Sequence, residues 1–166
     1  MPDLPTHDTD TARVQLRAAT VADTFAIVRL CKASLTRTYG SFMERERMRP
    51  WIEGTEVEDY VARTWPRMTV ALLDHEVVGV VALDESVIDL LWVADAKRRH
   101  GIGALLMEDA EVGVAAAQAE AELECFAPNL AALAFYESRG YVEVGRYFEA
   151  ASGVDKVVLR KPLRAR

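Results

Sequence analysis

Apolar residues alternate with polar ones, or run together in short blocks, at seven places along the chain. These segments are short and rich in valine and leucine, and turn residues separate neighbouring ones, so the pattern predicts β-strands. The predicted strands span residues 14–17, 68–73, 77–83, 87–93, 122–126, 141–147 and 156–160. The segment at 87–93 is apolar except for Asp89, which predicts a strongly buried strand.

Apolar residues recur at helical spacing in four segments between these strands. They predict helices at residues 23–38, 55–65, 102–116 and 129–140. Asn129 is expected to start the last of these helices, and Gly140 is expected to stop it. The charged run at residues 44–49 is predicted to be the solvent-facing side of a further short helix that Pro50 ends.

The order of these elements places antiparallel hairpins on both sides of one strand–helix–strand unit. This order predicts an α/β (mixed α+β) fold with a mostly antiparallel mixed sheet of six to seven strands, a central βαβ unit and helices on both faces. We expect residues 13–166 to form a single domain. Residues 1–12 contain two prolines and show no hydrophobic periodicity, so we expect a disordered leader there.

Composition and charge narrow the classes of function. The net charge of −6 argues against nucleic-acid binding, which needs clustered positive charge. No apolar run approaches the length of a membrane-spanning helix, and the first residues lack a signal-peptide pattern, so a cytoplasmic location away from membranes is expected. Cys31 and Cys125 are far apart and the histidines are scattered, so we expect neither a disulfide framework nor a metal site.

A basic loop with two glycines, at residues 94–104, is the segment that most clearly indicates chemistry. It follows the apolar strand at 87–93 and leads directly into a predicted helix. The first turn of a helix has unpaired N–H groups and a partial positive charge, and glycine lets a phosphate approach the backbone closely. Because Lys97, Arg98 and Arg99 add positive charge, we expect this loop to bind a pyrophosphate.

Two common phosphate-binding motifs do not fit the loop. The sequence has no Walker motif, and Leu106 stands where the third glycine of a GxGxxG dinucleotide motif would be. A regulator that binds another nucleotide through the same loop remains an alternative, although the loop lacks the cluster of acidic residues expected of a magnesium site.

The spacing Arg98-x-x-Gly101-x-Gly103 resembles the pyrophosphate loop of the GCN5-related N-acetyltransferase (GNAT) superfamily, which has Gln or Arg, two residues, Gly, one residue, then Gly or Ala. A second family motif, NxxAxxFYxxxGF, is similar to residues 129–141, with Tyr141 in place of the final phenylalanine. The resemblance covers about residues 68–163. It implies the GNAT fold, acetyl-CoA as a co-substrate and no metal.

The resemblance also implies which residues bind acetyl-CoA. The N–H groups of the loop would bind the pyrophosphate, the preceding strand would pair with the pantetheine arm, and the helix after Pro128 would complete the site. The implied residues are Leu91, Trp92, Val93, Arg98, Arg99, His100, Gly101, Ile102, Gly103, Ala104, Asn129, Ala132 and Tyr136.

Acetylation of an amine needs proton transfer, and the resemblance implies candidates for it. Tyr136 would protonate the leaving thiolate, and Glu124 or Asp89 would take the proton of the amine, with a water chain as the third alternative. The implied function is acetyl transfer to a primary amine of a small molecule or peptide, by direct attack in a ternary complex. A non-catalytic acyl-CoA-binding or regulatory module on the same fold is the alternative.

The acceptor amine would be bound by side chains of the N-terminal helices and the last hairpin. The expected lining residues are Tyr39, Phe42, Trp51 and Tyr147. Glu44 or Glu53 would meet the positive charge of the amine. The sequence does not identify the acceptor, and a homodimer is expected from the resemblance.

Overall fold

The structure is a computed structural model that describes residues 13–98 and 100–163, so the leader predicted at residues 1–12 lies outside the described residues. The described part of the chain forms seven strands and five α-helices. The strands are β1 (Gln15–Ala18), β2 (Met68–Leu73), β3 (Glu76–Asp84), β4 (Val87–Val93), β5 (Glu120–Phe126), β6 (Val142–Glu149) and β7 (Val154–Pro162). The helices are α1 (Thr24–Tyr39), α2 (Arg45–Ile52), α3 (Glu56–Thr64), α4 (Ile102–Ala115) and α5 (Leu130–Ser138).

All seven strands belong to one sheet, in the order β1-β2-β3-β4-β5-β7-β6. Neighbouring strands are antiparallel except β4 and β5, which are parallel and are connected through α4. A mostly antiparallel mixed sheet with a central βαβ unit confirms the predicted fold class.

The sheet separates two hydrophobic cores, one on each face. On one face, Leu106 and Met107 of α4 pack with Leu123 and Leu159 of the sheet, and Phe135 of α5 lies against this core. The other core brings α1 and α3 against β2 and β3, through Ile27, Val61, Val70 and Val80. Because both faces are covered, the helix that follows the glycine-containing loop is held firmly against the sheet.

Strands β4 and β5 pair at a single position, Val87 with Glu122, and beyond it the ladder between them stops. The rest of β4 therefore faces an opening in the sheet instead of a neighbouring strand. Only Ile88 of β4 is buried, and Asp89 is exposed, so the prediction of a strongly buried strand is wrong. The apolar side chains of β4 line a cleft.

Helix α2 continues through Pro50, so the prediction that Pro50 ends this helix is also wrong. A proline inside a helix removes one N–H donor and costs roughly 3 kcal/mol. The last turn stays helical because the N–H of Glu53 still donates to the carbonyl of Arg49 at 2.8 Å. Burial of Met48 and packing of Trp51 against the second core offset the cost.

The first strand is fixed to α1 by an ion pair between Arg17 and Asp23. Two guanidinium nitrogens donate to the two carboxylate oxygens at 2.7 and 3.0 Å, and the N–H of Thr20 donates to Asp23 at 2.7 Å. The hydrogen bond from Arg17 is the largest cause that lowers the pKa of Asp23 from 3.8 to about 2. The folded state therefore favours the ionised carboxylate.

Asp23→Ala is expected to lower the free energy of unfolding by roughly 2 kcal/mol at pH 7, which is the linkage value of this pKa shift. Because the folded pKa is depressed, the contribution is present above pH 4 and is lost as the pH falls toward about 2. Urea unfolding of both proteins at several pH values measures the difference.

The exposed ion pair between Arg67 and Asp84 offers a matched control, since both of its side chains are about half exposed. Asp84→Ala is expected to change the free energy of unfolding by less than about 1 kcal/mol. Equal losses in the two variants, or a loss in Asp23→Ala that does not shrink in acid, would contradict the assignment of this stability to Asp23.

Candidate active site

A cleft of about 850 Å³ lies where β4 and β5 separate. It is bounded by β4, by the loop after β4, by the first turn of α4, by the end of β5 and by α5. Cavities of this volume are typical of small-molecule and cofactor sites. The sheet opening thus produces a cleft at the place where the sequence predicted a ligand.

The first turn of α4 faces this cleft. Gly101 precedes the helix with a φ of 78°, in the left-handed region that glycine adopts without a steric cost. As a glycine it has no side chain to cap the helix, so the N–H groups at the start of α4 stay available for a ligand. Gly103 and Ala104 line the cleft beside it. This end of the cleft therefore suits an anion.

Arg98 adds a positive side chain at the same end of the cleft. Its Nη2 atom donates to the Thr38 hydroxyl of α1 at 3.2 Å, and its Nε atom lies 3.9 Å from the carboxylate of Asp95. These two contacts hold the guanidinium beside the first turn of α4.

Most of the residues predicted to bind acetyl-CoA line this one cleft. They are Leu91, Trp92, Val93, Arg98, Gly101, Gly103, Ala104, Asn129, Ala132 and Tyr136. The side chain of Ile102 instead lies in the core, so only its backbone could face a ligand. His100 is not among the lining residues, and Arg99 lies outside the described residues. The binding roles themselves stay predictions.

Asn129 is the N-cap of α5, and its Oδ1 atom accepts from the N–H of Ala132 at 3.4 Å. The helix that begins there places Tyr136 in the wall of the cleft. The ring of Tyr136 packs edge-on against Phe135 and Tyr141, with centroid distances of 5.4 and 6.0 Å. The position of the phenol is thus fixed by packing.

Burial raises the pKa of Tyr136 above the ordinary tyrosine value, and the neighbouring thiol of Cys125 adds to the effect. The phenol therefore stays protonated at neutral pH. Within residues 13–98 and 100–163 its hydroxyl makes no hydrogen bond, so its proton is available to a group bound in the cleft. A neutral phenol in this position can act as a general acid.

Both predicted carboxylate bases, Asp89 and Glu124, line the cleft, and each is bound by one tyrosine hydroxyl. The hydroxyl of Tyr60 donates to Asp89 at 2.5 Å, and that of Tyr147 donates to Glu124 at 2.8 Å. Glu124 also lies 3.6 Å from the ammonium nitrogen of Lys156. The charge of Glu124 is thus partly neutralised, whereas within residues 13–98 and 100–163 no cation pairs with Asp89, which accepts from the Tyr60 hydroxyl.

A second pocket of about 520 Å³ joins the cleft. The two cavities share six lining residues, namely Tyr39, Asp89, Leu90, Trp92, Phe126 and Lys156. The second pocket is further bounded by α3, by Trp51 of α2 and by Glu149 of β6. Two ligands in the two cavities would therefore meet at this shared junction.

Two of the four residues expected to line an acceptor site line the second pocket. Tyr39 and Trp51 line it, but Phe42 packs behind Tyr39 and Tyr147 bonds to Glu124 instead. The two predicted acids do not line it either: Glu44 pairs with Arg47, and Glu53 pairs with Arg45 and Arg49. The acids of the pocket are Glu56, Asp59, Asp89 and Glu149.

Sequence reasoning missed Tyr60 and Lys156, which bind the two carboxylates. A signal for Tyr60 was present, because Glu56, Tyr60 and Arg63 recur at helical spacing on one face of α3. Lys156 gave no such signal, since its position opposite Tyr147 depends on the pairing of β6 with β7.

Two searches of the described residues gave negative results. Among residues 13–98 and 100–163, no group of three or more His, Cys, Asp or Glu side chains is arranged to hold a metal ion. In the same part of the chain, none of the helices has the length and apolar character needed to cross a membrane.

Comparison with solved structures shows what this fold is similar to. The PaiA N-acetyltransferase of Thermoplasma acidophilum, solved in complex with coenzyme A, matches with a TM-score of 0.73 and 16% identity over 90% of this chain and 98% of that one. A GCN5-related N-acetyltransferase of Rhodopseudomonas palustris matches with a TM-score of 0.77 and 20% identity over 90% and 95% of the two chains. A chain of the NatC complex bound to Gag peptide and CoA matches with a TM-score of 0.68 and 19% identity over 92% and 99%.

Comparison of the sequence with curated proteins finds no significant match. The family model described as an acetyltransferase (GNAT) domain matches residues 37–161, which is most of the chain and includes the cleft, the first turn of α4 and Tyr136. The chain therefore belongs to the GNAT acetyltransferase family.

Proposed function

We propose that the protein transfers an acetyl group from acetyl-CoA to a primary amine of a small molecule or peptide, by direct attack in a ternary complex. The observation that carries this proposal is the junction of the cleft with the second pocket. One cavity can hold the acyl donor and the other the amine. Asp89 lines both cavities, and the phenol of Tyr136 and the carboxylate of Glu124 line the cleft.

The cleft suits acetyl-CoA in its charge and its shape. The N–H groups at the start of α4 and the guanidinium of Arg98 would bind the pyrophosphate. The unpaired edge of β4 at Leu91, Trp92 and Val93 would offer backbone groups to the amides of the pantetheine arm. Two proteins of similar fold were solved with coenzyme A, which supports the same class of ligand here.

Residues of the cleft and of the junction supply the proton transfers of the reaction. Asp89 or Glu124 takes a proton from the ammonium group, so the amine nitrogen gains the lone pair that bonds to the thioester carbonyl carbon. As the carbon–sulfur bond breaks, Tyr136 donates its proton to the sulfur. The nitrogen loses its second proton as the amide forms, and this proton restores the phenol of Tyr136, while the carboxylate releases its proton to solvent. The products are the acetylated amine and the free thiol of CoA, and no oxidant, reductant or metal is needed. The homodimer and the cytoplasmic location stay predictions.

Gly101→Asp is expected to raise the Kd of acetyl-CoA more than tenfold, because it places a negative charge where the pyrophosphate would bind. Gly101→Asn is the matched control, since asparagine has the same size and also tolerates the left-handed backbone of this position. It is expected to cause a clearly smaller loss. Calorimetric titration of the three proteins with acetyl-CoA measures the effect.

Release of CoA thiol in the presence of a panel of amines completes the test. Micromolar binding of acetyl-CoA with amine-dependent thiol release would support the proposal. Binding without turnover on any amine would identify a non-catalytic acyl-CoA-binding module instead. If the wild-type protein bound no acetyl-CoA, the proposal would fail, and other phosphate ligands of the same loop would be tested.

A further inference from the structure

The lining of the second pocket has two more negative than positive side chains. The acids are Glu56, Asp59, Asp89 and Glu149, and the bases are Arg63 and Lys156. Lys156 is already paired, because its ammonium nitrogen lies 2.9 Å from Glu149 and 3.6 Å from Glu124. A ligand carboxylate would find no free partner in Lys156, whereas a ligand with more than one ammonium group would meet complementary charge.

The acids of the pocket lie at two separate places. Asp89 lies at the junction with the cleft and is bound by Tyr60 of α3 at 2.5 Å. Glu56 lines only the second pocket, and its carboxylate makes no ion pair or hydrogen bond with any other residue of the described ranges. Because Glu56 precedes Tyr60 by four residues, the two residues share one face of α3. A ligand with two positive groups could place one at each of the two acids.

Aromatic rings form an aromatic wall of the second pocket. The ring of Tyr39 lies 5.4 Å from Trp92, 6.2 Å from Trp51 and 4.9 Å from Phe126, measured between centroids. Rings of this kind pack against methylene groups, and their faces attract ammonium groups. The wall therefore suits an aliphatic chain that joins two cations.

Two walls of the pocket are held together by Arg47 of α2. Its Nη1 atom donates to the carbonyls of Ala150 and Ala151, in the turn between β6 and β7, at 2.8 and 3.2 Å. Trp51, one turn after Arg47, and Glu149, directly before that turn, both line the pocket. The pocket is thus bounded on this side, and its volume of about 520 Å³ is that of a small-molecule site.

We propose that the acceptor is a small aliphatic diamine. This inference rests on the acetyltransferase function proposed above. Asp89 binds the ammonium group that reacts, Glu56 and the neighbouring Asp59 bind the other, and the aromatic wall contacts the methylene groups between them.

A panel of acceptors of matched length tests the charge requirement with the full chain and saturating acetyl-CoA. The panel contains 1,4-diaminobutane, 1-aminobutane, 4-aminobutanoate and a short peptide with a free N-terminus. We expect kcat/KM for 1,4-diaminobutane to exceed that for 1-aminobutane by at least about tenfold, because only the diamine reaches Glu56. We expect 4-aminobutanoate and the peptide to react more slowly than 1-aminobutane.

Glu56→Gln tests the distal end of the site. It is expected to lower kcat/KM for 1,4-diaminobutane about tenfold and to leave 1-aminobutane unchanged. Glu46→Gln, which removes the same charge from an exposed position of α2 outside the pocket, is the control and is expected to change neither. Calorimetric titration of the CoA-saturated proteins with 1,4-diaminobutane gives a readout without turnover, and its Kd should rise about tenfold in Glu56→Gln only.

The outcomes separate this inference from the function on which it rests. Equal kcat/KM for 1,4-diaminobutane and 1-aminobutane, an equal loss in Glu46→Gln, or a preference for the peptide overturns the diamine inference while acetyl transfer stands. Thiol release with none of the amines overturns the proposed function and the inference together.

Discussion

Tyr136→Phe is expected to lower kcat of acetyl transfer by about 100-fold or more, within the range found for loss of a general acid. The variant keeps the ring that packs against Phe135 and Tyr141, so the wall of the cleft is unchanged. The substitution removes the hydroxyl group, whose proton burial keeps on the phenol at neutral pH. If the hydroxyl acts on the leaving sulfur, as proposed, the Kd of acetyl-CoA should change little. Thiol release under saturating substrates, together with calorimetry, measures both quantities.

Tyr141→Phe provides the matched control for this substitution. Tyr141 is buried outside the cleft, and its hydroxyl donates to Glu111 at 3.1 Å. Loss of this hydrogen bond is expected to lower the free energy of unfolding by about 1 kcal/mol and to leave kcat unchanged. If Tyr136→Phe kept the wild-type kcat, the thiolate would leave without a proton from the protein, and the role assigned to Tyr136 would be wrong.

The strands of this fold could be predicted because their patterns are local. The predicted bounds of 68–73 and 87–93 coincide with β2 and β4, since turn residues on both sides fix where an apolar run stops. The burial of β4 could not be predicted in the same way. An apolar strand that lines a ligand cleft and one that lies in a core have the same sequence pattern, and only the separation of β4 from β5 distinguishes them.

More of the residues that line the cleft than of those that line the second pocket could be predicted from the sequence. Gly101, Gly103 and Asn129 were identified because each belongs to a short motif in which backbone geometry depends on neighbouring residues. The second pocket depends on contacts between distant segments, such as Tyr60 with Asp89 and Arg47 with the turn at residues 150–153. No local pattern specifies which of many exposed acids such contacts bring together, so Glu56 was not identified from the sequence as a residue of this pocket.

The continuation of α2 through Pro50 has a similar explanation. The local sequence indicates only that Pro50 lacks an N–H donor, and this lack favours an end to the helix at Pro50. The compensating burial of Met48 and packing of Trp51 come from the second core, which the sequence of α2 alone does not contain. Tertiary packing therefore decides the length of this helix.

Asp89→Asn is expected to lower kcat/KM for the amine by about 100-fold or more, whereas Glu124→Gln is expected to lower it less than tenfold. Asp89 lines both the cleft and the second pocket, so it lies where the proposed function would bring an ammonium group to the acyl group. Glu124 lines only the cleft, and Lys156 partly neutralises it at 3.6 Å. Steady-state kinetics with both variants over a range of pH measures the difference.

The two tyrosines that bind these carboxylates give a second, independent comparison. Tyr60→Phe removes the hydroxyl from Asp89 and Tyr147→Phe removes it from Glu124, with the same loss of one oxygen atom. If Asp89 is the base, Tyr60→Phe should lower kcat/KM for the amine, because it removes the hydroxyl that holds the carboxylate in place. Tyr147→Phe should change kcat/KM for the amine much less.

The pH profile also separates proton transfer from simple attraction of the ammonium group. Asp89→Asn should remove the acidic limb altogether if the carboxylate takes the proton, and the rate should then rise toward high pH, where the free amine itself becomes deprotonated. If Asp89 only attracts the ammonium group, Asp89→Asn would raise KM and would leave kcat and the acidic limb unchanged. A larger loss in Glu124→Gln would assign the base to β5 instead, and small losses in both variants would indicate that a chain of water molecules accepts the proton.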